Sequence, residues 1–447
     1  MVLKAARPTV DRAMSTRAAY TALLCGALAV VVQNELVPLL AGHHLGLFTN
    51  GSDLNGYREG AVLAIHQKPL YAHEILPYVW FAYTPFAAVL FYPLTSVDFD
   101  SLKVLWFAIS FAALVSTVWR CLTILRYRPT VQLAVFSAGI SLVAVDIEAI
   151  RATLWQGQIN IILMAIILWD LTRPKGARFK GWSVGIATGI KIKAIVFIPY
   201  LIVTRQWYAA ITATITAFIS IIIGWVILPD DSNEYWSHAV FQIGHIGSLT
   251  HPGNRSIGGI LATIWAPSPM PTGLWFSCAL IAFTVGLYAA WNASESGRIL
   301  LAVTIVGLIE CVVPPLAWGH HWVWFAPLFV LALDKAMRSH GPQKWKSVTV
   351  ACGLMSGIFM WFSSWTYWET IRINLPLPMY EEATAAVFTH MPRIARLLTT
   401  GTPPVIYFIT VVAVILGRKK YVKDIHGADP IDTPTSTPVT QAVLTQD

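Results

Sequence analysis

The chain has 447 residues, of which 56% are hydrophobic and only 12% are charged. A soluble protein carries charge on about a quarter of its residues, so this composition excludes an ordinary soluble domain. Long apolar runs, beginning with the one at 21–40, predict helices that span a membrane. An outer-membrane barrel would show segments of about ten residues with alternating polarity, which the sequence lacks. We therefore predict an all-α, polytopic integral membrane protein.

The formal net charge is +8, and the positions of the charges carry more information than their sum. Lysine and arginine cluster in five short segments, at 4–17, 120–128, 173–180, 335–346 and 418–423. Acidic residues concentrate in other segments. Cytoplasmic loops of membrane proteins are enriched in lysine and arginine, so the basic clusters predict the inner side of the membrane. A nucleic-acid partner is not predicted.

Taken in chain order, the apolar segments predict roughly ten to twelve spans. Helices are predicted at 18–40, 101–120, 130–147, 158–171, 208–228, 272–291 and 299–316. The segment 81–94 is short and contains two prolines, so it predicts a re-entrant or interfacial segment that protein must bury. A hairpin is predicted at 181–204, with Lys191 and Lys193 at its tip.

The same topology predicts three large outer loops, at 41–79, 229–255 and 365–402. These loops belong to one transmembrane domain that covers residues 1–424. The last segment, 425–447, is rich in Pro, Thr and Asp and predicts a disordered cytoplasmic tail. The five cysteines show no CxxC spacing, so neither a disulfide framework nor a zinc site is predicted.

Several polar side chains fall at the outer membrane surface in this topology, and polar groups near membrane depth tend to mark function. They are Asp53, Arg151, Gln156, Gln158, Asn254, Arg255, His320 and His321. Simpler interpretations exist: Asp53 could cap a helix, "WQGQIN" could be a polar helix start, and "WGHHW" an interfacial belt. Lys191 and Lys193 are harder to explain, because two ammonium groups in an apolar hairpin need a partner, such as a lipid phosphate.

These residues suit the transfer of a glycosyl group from a phosphate carrier to a sugar hydroxyl. The reaction needs a carboxylate that accepts the hydroxyl proton, and Asp53 is the candidate. It also needs cations or hydrogen-bond donors that stabilise the charge growing on the leaving phosphate. One carboxylate without a second acid nearby favours direct inversion over a covalent double displacement.

The motifs, taken in series, resemble those of a known family. They are "SDLNGYREGA", "FAYTPFAAVLFYPL", "WQGQINIILMAIILWD", "GIKIKA", "GNRSIGG" and "WGHHWVW". Their order is similar to that in the polyprenyl-phosphate-mannose-dependent mannosyltransferases of mycobacteria and their relatives, which form glycosyltransferase family 87. The resemblance, from about residue 50 to 335, implies a GT-C-type helical bundle. It also implies α-1,2-mannosyl transfer at the outer face of the plasma membrane, from β-linked polyprenyl-phosphate mannose to a glycolipid such as a phosphatidylinositol mannoside or lipomannan.

The resemblance further implies roles for individual residues. Asp53 falls on the family's catalytic Asp and would be the general base; His320 or His321 falls on the motif His and would touch the donor phosphate or the acceptor. The residues that would bind substrate are Lys191, Lys193, Arg151, Gln158, Asn254, Arg255, Ser256, Tyr57 and Tyr83. The chain departs from the family twice: Lys193 is an extra cation, and Arg255 stands where Gln is commoner.

Two other functions remain open from the sequence. An enzyme of the same build could transfer arabinose from a polyprenyl phosphate, because nothing in the sequence separates the two sugars. A transporter or lipid flippase would show symmetric halves and charges paired at mid-membrane, whereas the candidate residues here cluster on one side. No cofactor is predicted, although Glu148 and Asp231 are outer-loop carboxylates available to a divalent ion.

Overall fold

A computed structural model of the chain describes residues 11–36, 46–77, 79–339, 341 and 392–426. Within these ranges the protein is helical, with isolated β-bridges in place of strands. The α-helices are α1 (Thr16–Leu36), α2 (Ser52–Ile65), α3 (Pro85–Leu90), α4 (Phe99–Ile124), α5 (Val131–Ala144), α6 (Glu148–Gln156), α7 (Asn160–Leu171), α8 (Trp182–Ile190), α9 (Phe197–Val203), α10 (Trp207–Ile227), α11 (Pro229–Ser237), α12 (Ile257–Trp265), α13 (Thr272–Glu295), α14 (Ile299–Val312), α15 (Phe325–Arg338) and α16 (Arg393–His426). Short 3₁₀ helices lie at Tyr92–Ser96, Ile192–Val196, Ala239–Phe241, Ile243–His245 and Gly319–Trp324.

Five described helices are long and apolar enough to cross a bilayer, namely α1, α4, α10, α13 and α16. The consecutive helices α6 and α7 pass the same test together but are bent by 118°, so they form a broken span or a re-entrant loop. These helices confirm the predicted all-α, multi-span membrane fold. The number of spans stays a prediction, because residues 342–391 lie outside the described ranges.

The surface of the long helices is apolar. On α10, Ile211, Phe218 and Val226 are exposed by 57%, 61% and 75%. A helix with apolar residues all round its surface is typical of a membrane span, since lipid, not water, covers those side chains. The α10 helix therefore packs on α8 with one face and leaves the others for lipid.

The helices α1 and α5 approach each other through glycines. A Cβ added at Gly26 would lie 2.6 Å from the Gly139 carbonyl oxygen, and one at Gly139 would lie 2.4 Å from the backbone of Ala22. Small residues at a crossing let two backbones come close, and close packing stabilises helix pairs in a membrane where lipid removes the hydrophobic driving force.

The segments predicted to be cytoplasmic meet at one end of the bundle, here called the basic end (residues 12, 120–128, 173–180 and 335–338). Two backbone hydrogen bonds of 2.8 Å join Arg12 to the segment 126–128. Arg338 donates to the Leu125 carbonyl at 2.6 Å, and Arg120 donates to the C-terminal end of α7. Parts of four of the five basic clusters thus lie together although they are far apart in the sequence.

Helical residues occur in segments that were predicted as outer loops or tail. The segment predicted as the loop 229–255 begins with α11, and α16 begins at Arg393, within the segment predicted as the loop 365–402. The tail predicted at 425–447 is still helical up to His426. The remaining residues of the predicted tail and of the 365–402 loop lie outside the described ranges. The segment 81–94 forms α3 and a 3₁₀ turn, which together are too short to cross a bilayer as a helix.

Candidate active site

The helix α2 carries Asp53 in its first turn. Gly51 precedes the helix with φ of 86°, a left-handed conformation that favours glycine. Its N–H donates to the Trp155 carbonyl at 3.0 Å, which fixes the start of α2 against α6. The Asp53 side chain makes no capping hydrogen bond; the Ser52 N–H instead donates to Asn50 Oδ1 at 3.0 Å. The interpretation of Asp53 as a helix cap was therefore wrong.

The break between α6 and α7 lies directly beside Asp53. Gly157 occupies the break with φ of 72°, and a Cβ there would lie 2.6 Å from the Cβ of Leu54. The first turn of α2 therefore packs on the break with no room for a side chain between them. This contact places Asp53 next to Gln158, the residue that follows the glycine.

Gln158 is the centre of a buried polar cluster built from four separate segments. Its Oε1 accepts hydrogen bonds from the hydroxyls of Tyr57 at 2.9 Å and Tyr83 at 3.0 Å. The same oxygen accepts from Lys191 Nζ at 3.3 Å, and Lys191 also donates to Asn160 Oδ1 at 2.8 Å. Four predicted substrate-binding residues of the motifs, Tyr57, Tyr83, Gln158 and Lys191, thus meet in one place.

Asp53 is a half-buried carboxylate at the edge of this cluster. Burial raises its pKa to about 6, and the Gln158 side chain and the positive charge of Lys191 oppose that rise. The group is therefore ionised at neutral pH yet far more basic than an ordinary aspartate. Such a pKa near the working pH is what a general base requires.

Lys193 contacts a different segment from Lys191, the segment that contains the histidine turn. Its ammonium group donates to the Leu316 carbonyl at 3.2 Å and contacts His321 Nδ1 at 3.0 Å. The Trp318 N–H donates to the same nitrogen at 3.1 Å. Both hairpin lysines therefore have protein partners, so their position in the apolar region does not by itself require a lipid phosphate.

His320 is inside the protein, 7% exposed. Its carbonyl accepts from Asn160 Nδ2 and Thr153 Oγ1, both at 2.9 Å, and its ring lies 4.6 Å from that of His321, centre to centre. His320 Nε2 is buried without a hydrogen-bond partner in the described part of the chain. Trp322 is also buried, at 1%, so the interpretation of "WGHHW" as an interfacial belt was wrong.

The two histidine rings are neutral in this environment. Burial is the main cause that lowers the pKa of His320 and of His321 well below the usual value, and the charges of Lys191 and Lys193 lower both further. The histidines therefore present neutral ring nitrogens, and Lys191 and Lys193 are the more basic groups of the site.

The loop "GNRS" joins the 315–318 segment to the rest of the bundle. Asn254 is fully buried: its amide donates to the Leu249 and Pro315 carbonyls at 3.0 Å, and its Oδ1 accepts from the Ala317 N–H at 3.0 Å. Ser256 Oγ lies 2.8 Å from Asn254 Oδ1 and accepts from the Gly259 N–H as an N-cap. These side chains hold the protein's own backbone, and the structure does not turn them toward Asp53.

Arg255 forms a buried ion pair with Glu148, in which both guanidinium nitrogens donate to the carboxylate. Its backbone N–H donates to the Ala317 carbonyl at 2.7 Å. The pair ties the "GNRS" loop to the first turn of α6. Glu148 is thereby engaged by an arginine, and Asp231, the other carboxylate named as available to a divalent ion, accepts from the Leu70 N–H at 2.8 Å.

Arg151 is buried on α6 and faces α1. With the amide of Gln33 oriented to satisfy its neighbours, the amide oxygen accepts from Arg151 Nε at 3.1 Å and the amide nitrogen donates to Asp146 at 2.9 Å. Gln156 Oε1 is buried without a partner in the described residues. Arg151 thus lies apart from the cluster around Gln158.

Two residues of the site were missed in the sequence. Asn160, within the quoted motif, holds both Lys191 and the His320 carbonyl. Glu310, on α14, lies within electrostatic reach of Lys191 and Lys193. A lone acid in the apolar run 299–316 was the available signal for Glu310, and the available signal for Asn160 was its place in the quoted motif that begins "WQGQIN". The described ranges hold no cluster of three metal-ligating side chains.

The multi-span helical fold and the carboxylate of Asp53 near Lys191 are compatible with a membrane glycosyltransferase, and comparison with known proteins identifies the family. The model of glycosyltransferase family 87 matches residues 81–315, more than half of the chain. The chain therefore belongs to glycosyltransferase family 87, which confirms the predicted family and the predicted enzyme class. No solved structure matches the chain.

Curated relatives are named for one kind of reaction. A Mycobacterium tuberculosis protein, polyprenol-phosphate-mannose-dependent alpha-(1-2)-phosphatidylinositol mannoside mannosyltransferase, is 27% identical over 74% of this chain and 78% of its own length. A second M. tuberculosis protein, named for a phosphatidylinositol pentamannoside acceptor, is 29% identical over 75% of this chain and 76% of its own length. A Mycolicibacterium smegmatis protein with the first name is 26% identical over 76% and 79%.

Proposed function

We propose that the protein transfers mannose from polyprenyl-phosphate mannose to a hydroxyl of a mannosylated lipid, with inversion at the anomeric carbon and Asp53 as the general base. The observation that carries this proposal is the position of Asp53. Its carboxylate, with a pKa near 6, lies beside Gln158 and Lys191 in a cluster assembled from the family motifs. The names of the curated relatives support the donor and the acceptor class, a phosphatidylinositol mannoside.

The chemistry follows from the arrangement of charges. The acceptor hydroxyl oxygen attacks the anomeric carbon while its proton moves to the Asp53 carboxylate. The bond from the anomeric carbon to the phosphate oxygen breaks, and the polyprenyl phosphate leaves with the electron pair. Lys191 and Lys193 stabilise the negative charge that develops on the leaving phosphate. A β-linked donor attacked once from the opposite face gives an α-linked product.

The outer face of the plasma membrane is proposed as the place of reaction. The basic end of the bundle collects the lysine- and arginine-rich segments, which the positive-inside rule assigns to the cytoplasm. None of the residues around Gln158 belongs to that end. A lipid-linked donor and a glycolipid acceptor both present their polar groups at a membrane surface, so a site at the opposite end suits both substrates.

The roles of the remaining motif residues follow from their contacts. Tyr57, Tyr83 and Gln158 orient Lys191 and Asp53. Buried His320 Nε2, without a partner in the described residues, is available to a ligand. Asn254, Arg255 and Ser256 hold the loop that positions the histidine turn. No metal is proposed to take part, because Glu148 and Asp231 already bind protein donors.

The test is transfer of labelled mannose from polyprenyl-phosphate mannose to a phosphatidylinositol mannoside by purified protein. The wild type is compared with Asp53→Asn and with Glu59→Gln, a matched control on the same helix whose carboxylate contacts Arg58. We expect label in the lipid with the wild type and the control, an α linkage in the product, and no transfer with Asp53→Asn. Transfer by Asp53→Asn at the wild-type rate would overturn the role of Asp53 as the base.

Failure of the wild type with polyprenyl-phosphate mannose, but success with a polyprenyl-phosphate arabinose donor, would overturn the proposed donor. Addition of EDTA is expected to leave transfer unchanged.

A further inference from the structure

The side chain of His321 is held by two hydrogen-bond donors at one nitrogen. The Trp318 N–H lies 3.1 Å from His321 Nδ1, and Lys193 Nζ lies 3.0 Å from the same atom. A backbone N–H can only donate, so Nδ1 must be the acceptor and cannot carry a proton in this arrangement. The proton of the neutral ring is then on Nε2.

The other nitrogen of His321 has a different environment. In the part of the chain that the structure describes, no protein acceptor lies within hydrogen-bond distance of Nε2, and the His321 side chain is half-buried rather than sealed. The Nε2–H group is therefore available to donate to a bound molecule. His321 lies one residue from His320, whose Nε2 is likewise without a protein partner.

The charged groups around His321 favour the neutral ring. Lys193 contacts it, Lys191 lies near it, and the neighbouring His320 is also a potential cation. The negative groups that face the turn are Glu310, which is shared between the two lysines, and Glu148, whose carboxylate is bound by Arg255. Cys311 contributes only a thiol that donates to the His321 carbonyl. No described carboxylate forms an ion pair with His321.

We propose that Lys193 is a positioning residue. Together with the Trp318 amide, it holds His321 as the neutral tautomer protonated on Nε2. In this form His321 donates a hydrogen bond to the donor phosphate and does not transfer protons. That the acceptor of this hydrogen bond is a phosphate rests on the proposed function. The assignment of the His321 tautomer does not depend on the proposed function. The extra lysine of this chain thus acts in two ways, as a positive charge near the leaving group and as the partner that fixes the neighbouring ring.

The first test reads the tautomer directly and needs no substrate. Full-length protein carrying ¹⁵N-histidine is reconstituted in nanodiscs, and the His321 signals are assigned by their loss in His321→Gln. We expect an unprotonated Nδ1 and a protonated Nε2 that do not change between pH 7.5 and pH 5.5. In Lys193→Met we expect His321 to titrate within that range, and in Lys193→Arg, which keeps a charged donor, we expect the wild-type signals. A wild-type His321 that is protonated on Nδ1, or a Lys193→Met spectrum identical to the wild type, would overturn the proposal.

The second test separates positioning from direct contact with substrate. Loss of the partner that orients a functional histidine costs roughly 10- to 100-fold in activity, and we expect that loss in kcat for Lys193→Met with partial rescue in Lys193→Arg. The double variant Lys193→Met/His321→Gln should lose less activity than the product of the two single losses, because part of the Lys193 effect acts through the ring. Fully additive losses would assign Lys193 to the substrate instead. If mannose transfer itself fails in the wild type while the spectra are as expected, the proposed function falls and the tautomer assignment stands.

Discussion

The cationic side chains at the basic end of the bundle and those at the candidate active site have different kinds of partner. At the basic end, Arg173 pairs with Asp170 and Arg338 pairs with Asp334, each with an acid within four residues. At the site, Lys191 and Lys193 donate to amide, carbonyl and imidazole acceptors. Neither lysine has a carboxylate within ion-pair distance among the described residues.

The presence or absence of a carboxylate partner distinguishes cations that stabilise the fold from cations that are available to bind an anionic ligand. A cation paired with a neighbouring acid has its charge compensated before any substrate binds. A buried ammonium group that is only hydrogen-bonded to neutral acceptors keeps an attraction for an anion, and in a region of low dielectric that attraction is strong. The phosphate of a lipid-linked sugar supplies such an anion, so the lack of an ion-pair partner for Lys191 and Lys193 among the described residues is itself an indication of function.

The comparison is tested most directly by removing one lysine from the site and one from the basic end. We expect Lys191→Met to lower kcat/KM by about 10²- to 10³-fold, the range for loss of one stabilising donor in the transition state, with little change in thermal stability. Lys180, buried at the basic end, donates to the Arg173 carbonyl at 2.7 Å. Lys180→Met should lower stability but leave the kcat/KM of the folded protein unchanged. Equal losses of activity in the two variants would contradict the comparison.

The Arg255–Glu148 pair should behave as a structural pair although it lies near the site. Removing one partner of a buried ion pair leaves an uncompensated charge and costs about 3–5 kcal/mol, so Arg255→Gln and Glu148→Gln should each lower the temperature of half-inactivation in detergent. The double variant Glu148→Gln/Arg255→Gln leaves two neutral amides and should recover part of that loss. A double variant as unstable as the sum of the single variants would show that the two side chains do not act as a pair.

The pH dependence should report the base. With the pKa of Asp53 raised to about 6, the active ionised form is the major form at pH 7 and falls tenfold for each pH unit below the pKa. We expect kcat/KM at pH 5 to be about a tenth of its plateau value, because this parameter follows the free enzyme. A profile that stays flat down to pH 5 would indicate an aspartate with an ordinary pKa. Glu59→Gln is the control and should show the wild-type profile.

The sequence predicted the helical spans and the members of the site better than their contacts. Hydrophobic runs are local signals, so α4, α10 and α13 begin and end within a few residues of their predicted positions. The motifs also named Asp53 and Lys191, whose charges interact in the folded chain. The contacts of Asn254 were not predictable, since its acceptor at Pro315 is 61 residues away. The role of Asn160 depends equally on where Lys191 and His320 fall after packing. The sequence therefore supplied the residue types, whereas the folded chain decided which of them hold the backbone and which face a ligand.

The smallest effect on stability and activity is expected for a substitution of Arg338, which is paired with Asp334 at the basic end. Arg338 Nε donates to Asp334 at 2.6 Å; the arginine side chain is 34% exposed and the aspartate side chain 9% exposed, so water screens the pair from the arginine side. Asp334 also accepts from the Tyr127 hydroxyl at 3.1 Å, a partner that it keeps in Arg338→Gln. Ion pairs that water screens contribute about 0–1 kcal/mol, and Arg338→Gln should lower the half-inactivation temperature only slightly, without changing kcat/KM. The variant also loses the hydrogen bond to the Leu125 carbonyl, which joins α15 to the end of α4. A large loss of stability would therefore mean that this backbone contact, and not the ion pair, holds the basic end together. The variant Arg338→Lys would distinguish the two contacts, because it keeps the positive charge but loses the second hydrogen-bond donor.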